Sequence, residues 1–298
     1  MPQEEPMNNK AIITFFTLLA MLSLTEIGQA ESSFSFRVAG GFGMIPAGDL
    51  GTVIDSYNTM LDDFKSSLGM TRAGDLEKIR LTYHIEGEVI MSITKKFGIG
   101  IAAGYLQGKT KSQTVLKYDS LLSLETRLEP KYSFIPLKLN AYYFFETSSK
   151  LKFFLSGGIG YYLGAFSYSM KQDENVMGTS NMAQASGKVR NNCLGFQGGL
   201  GLEYDFTDTI AVFLEGRGRS VQLRNWEGDE MYSDSEGIKE SRKGTLWYYE
   251  NRDEASGKYY STLDLSEIEP EGFSKRNIKK FEVNLSGFSL NVGLRFKF

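Results

Sequence analysis

Eight segments of this 298-residue chain alternate apolar side chains with polar or small ones at a period of two. That period belongs to β-strands, whose successive side chains point to opposite faces. The segments run over 34–44, 79–91, 97–108, 132–145, 151–168, 193–206, 210–223 and 288–298. In the first, Phe34, Phe36, Val38, Gly40, Phe42 and Met44 share one face, against Ser35, Arg37, Ala39, Gly41 and Gly43 on the other. The connections alternate as well. Those after the second, fourth and sixth segments are a few residues long, whereas 45–78, 109–131, 169–192 and 224–280 are long. A two-sheet sandwich gives no reason for such regularity. A closed barrel crossing a bilayer does, with its apolar face toward lipid, tight turns on one side and long loops on the other. The chain is therefore expected to be all-β: an eight-stranded antiparallel transmembrane up-and-down β-barrel with long extracellular loops.

Closure is what makes such a sheet viable in lipid, because every backbone donor and acceptor must be paired there and only a closed sheet has no edge. Hydrophobic residues make up only 41% of the chain, which fits strands that give half their residues to the interior. Gly98, Gly100, Gly104, Gly158, Gly160, Gly199 and Gly201 fall mostly on the inner face and are expected to relieve crowding in a narrow barrel.

The N-terminus bears on compartment. Residues 11–24 read AIITFFTLLAMLSL, preceded by Lys10 and followed by Gly28-Gln29-Ala30. A basic flank, a short apolar run and small residues before a cleavage point are the features of a secretory signal. The run is shorter than the roughly 20 residues of a spanning helix. Residues 1–30 are expected to be a signal peptide cleaved after Ala30, with Met7 as its true start, and 31–298 to be the barrel domain. The remaining chain carries 32 basic and 33 acidic residues, which argues against nucleic acid as a partner. A single cysteine, Cys193, excludes an intramolecular disulfide and a zinc-ribbon site, and no cofactor or metal is expected.

Several stretches resemble the small outer-membrane β-barrel family of Gram-negative type: IPLKLNAYYFF (135–145), FFLSGGIGYYLG (153–164), LGFQGGLGLEYDFT (194–207), IAVFLEGRGR (210–219) and SGFSLNVGLRFKF (286–298). The resemblance implies an outer-membrane location. It also implies that Phe298, with Phe296 and Leu294, is the insertion signal read by the outer-membrane insertion machinery. The implied partners are outer-membrane lipid, that machinery and an unidentified extracellular ligand, with the chain a monomer. The family is functionally diverse, so the fold alone does not name an activity.

Within the barrel, Arg37, Glu86, Glu88, Lys138, Glu203, Glu215, Arg217, Arg219 and Arg295 should all face inward. Both signs intersperse and no single-sign ring emerges, so a mixed ion-pair network filling the interior is favoured over an ion path. The lone histidine, His84, also faces inward near Glu86. Ile85 follows it, so the His-Ser pair of lipid-modifying outer-membrane enzymes is absent and no nucleophile sits beside a base. A hydrogen-bonded interior histidine is the expectation.

The long connections carry two further patterns. Leu50, Val53, Ile54, Tyr57, Leu61, Phe64 and Leu68 fall at helical spacing, with Asp49 or Thr52 available to cap the start and Gly69 the end. This short amphipathic helix is expected to shut the outer mouth. The stretch 224–280 holds ten bases and thirteen acids, too much charge for added membrane strands. It also holds both tryptophans, Trp226 and Trp247. Residues 245–250 and 258–263 flank a turn and are expected to pair as a hairpin, its aromatics forming a recognition surface or a rim belt at headgroup level. The function expected is a structural or surface-interaction role without catalysis. The alternatives are a small gated channel and a lipid-modifying enzyme.

Overall fold

The computed structural model describes residues 33–119 and 121–298, so the expected signal peptide and its cleavage point lie outside the described residues. Eight strands form a ring: β1 (Ser33–Met44), β3 (Leu81–Ser92), β4 (Phe97–Lys109), β7 (Lys131–Glu146), β8 (Leu151–Val176), β9 (Thr179–Asp205), β10 (Ile210–Ser220) and β17 (Gly287–Lys297). Each pairs antiparallel with the next in that order, and β17 returns to β1. Apolar residues such as Phe42, Ile85, Leu200 and Val292 are exposed on the outer face, and their neighbours in sequence are buried within. The connections 93–96, 147–150 and 206–209 gather at one end with both chain termini of the described residues, here called the turn end.

The sequence reading undercounted the strands. Seventeen are present among the described residues, because the long connections are themselves β-structured. They hold β2 (Thr71–Ala73), β5 (Ser112–Tyr118), β6 (Leu122–Leu128), β11 (Gln222–Leu223), β12 (Glu227–Asp234), β13 (Lys239–Arg252), β14 (Tyr259–Ser266), β15 (Lys275–Lys280) and β16 (Val283–Asn284). Residues 169–192, read as a loop, continue β8 and β9 to a two-residue turn at Met177-Gly178, where φ is +50° and +87°. Positive φ at both positions is the hairpin geometry that matches strand twist. The expected segment 79–91 begins later: β3 starts at Leu81, and Ile79, which outward alternation with Leu81 and Tyr83 would put toward lipid, is 3% exposed and packs inside. The seventh segment stops at Ser220 before β11 pairs with β16.

Beyond the ring the same sheet continues from β8 and β9, with the local order β14-β13-β12-β9-β8-β6-β5-β2. The expected pairing of 245–250 with 258–263 is part of it, from Thr245↔Ser266 to Arg252↔Tyr259. The helix α1 (Gly48–Leu68) lies against both edges of this sheet, touching β14 on one side and β2 and β5 on the other. Its start differs from expectation. Ala47 occupies the cap position and no side chain caps it, while the Asp49 carboxylate accepts from the Lys279 ammonium and the Glu282 amide. Gly69 does end the helix, at φ +65°, where a residue with a Cβ would be strained.

One apolar cluster ties this cap to the ring. Leu106, Tyr132, Phe134 and Tyr162 from the ring strands meet Leu50 and Ile54 of α1, and Trp226, Leu246, Phe281 and Leu285 from the last long connection. Trp226 is fully buried, edge-on to Phe134 and tilted against Phe281. Trp247, Tyr248 and Tyr249 are buried as well, so these aromatics are packing groups of the cap rather than an exposed surface or a rim belt. Trp226→Ala should destabilise the cap by about 3–5 kcal/mol, the range for emptying a large aromatic site. The readout is earlier proteolytic release of 224–280 in urea, with the ring still protected.

Candidate functional site

The interior side chains stack in layers set by strand register. Nearest the turn end, Arg295 donates to Ser35 at 2.9 Å and pairs with Glu203 at 3.1 Å. Lys297 joins Glu203 at 3.2 Å. Above them Ile90, Tyr142, Phe144, Phe154 and Phe213 form an apolar layer. The guanidinium of Arg37 lies 3.7 Å from the centre of the Phe213 ring and 5.0 Å from that of Phe154. A cation held over ring faces in this way is attracted by their negative quadrupole.

Six charges then link into one chain. Glu88 faces Arg37 at 3.6 Å, Arg37 faces Glu215 at 3.5 Å, and Glu215 holds Arg217 at 2.9 Å. Arg217 reaches Glu86 through one nitrogen at 2.9 and 3.2 Å, and Glu86 pairs with Lys138. Glu88 also accepts from Asn140 at 2.7 Å and from the Tyr142 hydroxyl at 2.7 Å. All six are at most 7% exposed. Three acids against three bases leave the network neutral in formal charge, and pairing is what makes buried charge tolerable; Arg37 is the weak link, its Nε and Nη2 buried without a hydrogen bond. Arg219, the ninth expected interior charge, is only half-buried. It donates to the Leu285 carbonyl at 2.7 Å rather than to an acid.

Small residues stand opposite the large ones. Across the ladders Glu86 faces Gly104 and Ala39, Glu215 faces Gly201, Arg217 faces Gly199, and Lys138 faces Gly160 and Ala102. A Cβ at Gly100 would collide with the Glu88 carboxylate, and one at Gly201 with the Phe154 ring. The glycines thus make room for side chains that cross the bore. At the level of the network the space that remains is a cavity of about 10 Å³ among His84, Glu86, Lys138, Tyr162, Gln197 and Arg217, about one water in size, and a wider concavity of about 200 Å³ opens at the turn end beside Ser35, Phe144 and Arg295. His84 differs from expectation here, since its Nδ1 is buried with no protein partner. Above this level the apolar cluster seals the mouth.

The cap contains the larger concavity. A cavity of about 470 Å³ lies between Tyr57, Met60 and Phe64 of α1 and the inner face of the sheet, at Leu124, Gln172 and Met182. Its size falls in the usual range for small-molecule sites. At its base the Tyr57 hydroxyl meets Thr126 at 3.1 Å and Gln172 at 2.8 Å, and at its mouth stand Glu174, Asp234 and Glu236. The sequence reading took this helix for a lid and missed the cavity, because its other wall comes from stretches read as loops.

Clamps hold α1 in place. Arg72 of β2 reaches Asp62 at 2.8 Å and the Asn58 carbonyl at 2.8 Å, while Asp63 accepts from Lys258 at 2.7 Å and Tyr260 at 2.6 Å. The hydrogen bond from Lys258, followed by that from Tyr260, holds the Asp63 carboxyl below the ordinary carboxylate range. A depressed acid contributes stability that is fully present above its unfolded value and lost as pH falls through the folded one. Docking of the helix edge should therefore weaken below about pH 3.8, the ordinary Asp value. Hydrogen exchange of 48–68, corrected for intrinsic rate, should report it, and Asp63→Asn should show a shallower acid dependence. Inside the ring, Glu86→Ala strands Lys138 and leaves Arg217 with Glu215 as its one acidic partner. It is expected to cost about 3–5 kcal/mol in urea unfolding, the usual range for breaking a buried pair.

Comparison with known proteins adds the family. The profile of the outer membrane protein beta-barrel domain matches residues 14–236. No curated protein matches this chain. Among solved structures, the outer membrane protein OprG from Pseudomonas aeruginosa is 12% identical, with 90% of this chain and 98% of that one covered at a TM-score of 0.38. Neisserial surface protein A is also 12% identical, covering 89% and 97% at 0.33. A major outer membrane protein from Thermus thermophilus is 11% identical, covering 90% and 100% at 0.35. These scores are too low to carry an argument of their own. With three quarters of its length matched by the family profile and an apolar-faced closed sheet, the chain belongs to the outer-membrane β-barrel family.

Proposed function

We propose that this protein is a non-conducting, non-catalytic outer-membrane barrel whose work is done by the cap, standing outside the cell as a binding surface for an extracellular ligand. On this reading the chain is exported by its N-terminal signal, cleaved after Ala30, and inserted through the C-terminal Leu294, Phe296 and Phe298 as a monomer. Eight strands cross the membrane, with the turn end in the periplasm. The observation that carries it is the filled lumen. A neutral network of six buried charges, an apolar layer below it and an apolar cluster above leave room for about one water at the level of the network. The cavity beside α1 is the surface this reading offers to a ligand. The channel alternative would need a bore that the side chains already occupy.

Two measurements test this. In planar bilayers neither the refolded protein nor a variant lacking 49–69 should show discrete openings, because removal of the helix leaves the ion network in place. Openings in either would overturn the non-conducting reading. For orientation, Cys193→Ser removes the native thiol. Ser235→Cys should then react with a membrane-impermeant maleimide on intact cells, whereas Ser148→Cys should react only after lysis. The reverse pattern would place the cap in the periplasm.

A further inference from the structure

A row of like charges crosses the outer face where the ring gives way to the cap. Lys109 of β4 is registered directly opposite Lys131 of β7, Lys131 opposite Ser167 of β8, and Ser167 opposite Lys188 of β9. Directly registered residues point to the same face, with Cβ atoms about 4.5–5.5 Å apart, and like charges so placed repel. That face is the outer one, since the sequence neighbours Tyr132, Phe166 and Val189 are buried in the apolar cluster. All three lysines are exposed, and among the described residues none has an acid within ion-pair distance. Three acids also line the groove: Glu129 pairs with Lys111 at 2.6 Å, Asp229 is registered opposite Lys188 and lies 3.7 Å from Lys243, and Glu230 accepts from the Tyr168 hydroxyl. Four lysines, Lys109, Lys111, Lys131 and Lys188, against these three acids leave the groove with an excess of positive charge, greatest at the directly opposed Lys109 and Lys131.

Its height is also defined. On β7 the last outward apolar residue before the cap is Ile135, registered with Leu163, and Lys131 lies four residues further along the strand. At about 3.3 Å per residue this is roughly 13 Å, less with strand tilt, beyond the apolar band. That is the level of lipid headgroups rather than of hydrocarbon or bulk solvent. The surface is concave there, forming a groove of about 750 Å³ in which the lysines are joined by hydroxyls of Ser167, Ser169, Ser186 and Thr110. Ammonium groups beside hydroxyls suit a phosphate borne on a sugar, since lysine supplies point charge and serine and threonine supply directional donors.

We propose that this groove binds the phosphate of a phosphorylated glycolipid in the leaflet that borders the cap, with Lys109, Lys131 and Lys188 as its cationic contacts. The lipid-facing band below receives the acyl chains, so headgroup and chains of one molecule meet continuous surfaces. Bound phosphate would also relieve the repulsion along the row. With the cap outside the cell, as proposed above, that leaflet is the outer one. The binding test in detergent does not depend on orientation, so it can fail or succeed separately from the cysteine labelling.

The probe is diphosphoryl lipid A added to the detergent-solubilised protein, with native mass spectrometry reading the bound fraction. The variant Lys109→Gln/Lys131→Gln/Lys188→Gln is compared with Lys95→Gln/Lys96→Gln/Lys150→Gln, which removes the same charge at the turn end. The first variant should lose at least tenfold in apparent affinity and the second less than twofold. The dephosphorylated lipid should bind the wild type as weakly as the first variant binds the diphosphoryl form. A second readout guards against misfolding. Without lipid the first variant should resist urea at least as well as the wild type, because repulsion has been removed, and with lipid the order should reverse. Equal binding of both lipid forms, equal loss in both variants, or full competition by millimolar inorganic phosphate would overturn the proposal.

Discussion

Pairing of β1 with β17 is the constraint on which the rest of this structure depends. The ladder runs from Ser35↔Lys297 to Met44↔Phe288 and joins the two ends of the described chain. Without it, two strand edges would stand open in hydrocarbon, where each unpaired backbone group costs several kcal/mol. A ring of this size has a bore just wide enough for side chains. Whatever polar group faces inward must therefore find its partner inside. Arg37 shows how tight that condition is: it is registered beside Arg295 on one neighbour and Glu88 on the other, and it is neutralised from across the bore by Glu215. The glycines opposite Glu215 and Arg217 follow from the same limit, since a second large side chain at those levels has nowhere to go.

Strands β8 and β9 carry the logic beyond the membrane and reverse it. Up to Leu163 the outward residues of β8 are apolar, while the inward ones mix small groups such as Gly158 and Gly160 with the rings of Phe154 and Tyr162. Beyond it Phe166 and Val189 turn into the apolar cluster while Ser167 and Lys188 face outward. The backbone does not change, only the solvent on its outer side. Once water replaces lipid, the apolar groups must turn toward each other, and the curled sheet needs something to enclose. The helix α1 fills that need with Leu50, Ile54 and Leu61, and its charged edges meet β2 and β14. One hairpin thus belongs to two cores with opposite polarity rules.

This reversal explains what could be read from the chain alone. Where lipid lies on one side, alternation is strong, so the ring strands, the inward charges and the short turns were legible. Residues 169–192 were not, because Ser169, Lys171 and Asp173 alternate with Met170, Gln172 and Glu174, and neither face is uniformly apolar. The helix was legible from its spacing. Its capping was not, because Asp49 is drawn to Lys279, a partner far away in sequence. The tryptophans misled for a related reason: both sit among charges in sequence, but Trp226 meets Phe134 and Phe281 only after the cap has folded, and Trp247 is buried on β13 between β14 and β15. The charge row at Lys109, Lys131 and Lys188 is spread over three segments, so only register brings it together.

The buried network itself calls for a reason other than stability, because apolar residues of similar volume often fill such a space at no loss. The proposed route supplies one. A chain that must pass one membrane before settling in another cannot carry spans that the first would retain, and roughly 20 continuous apolar residues suffice for retention. Arg37, Glu86, Glu88, Lys138, Glu215 and Arg217 interrupt every ring strand on which they lie. They keep those segments polar enough to travel unfolded, and only closure turns their charge inward and cancels it. The same residues fill the bore, and on the function proposed above this leaves the cap as the part of the molecule free to carry a task.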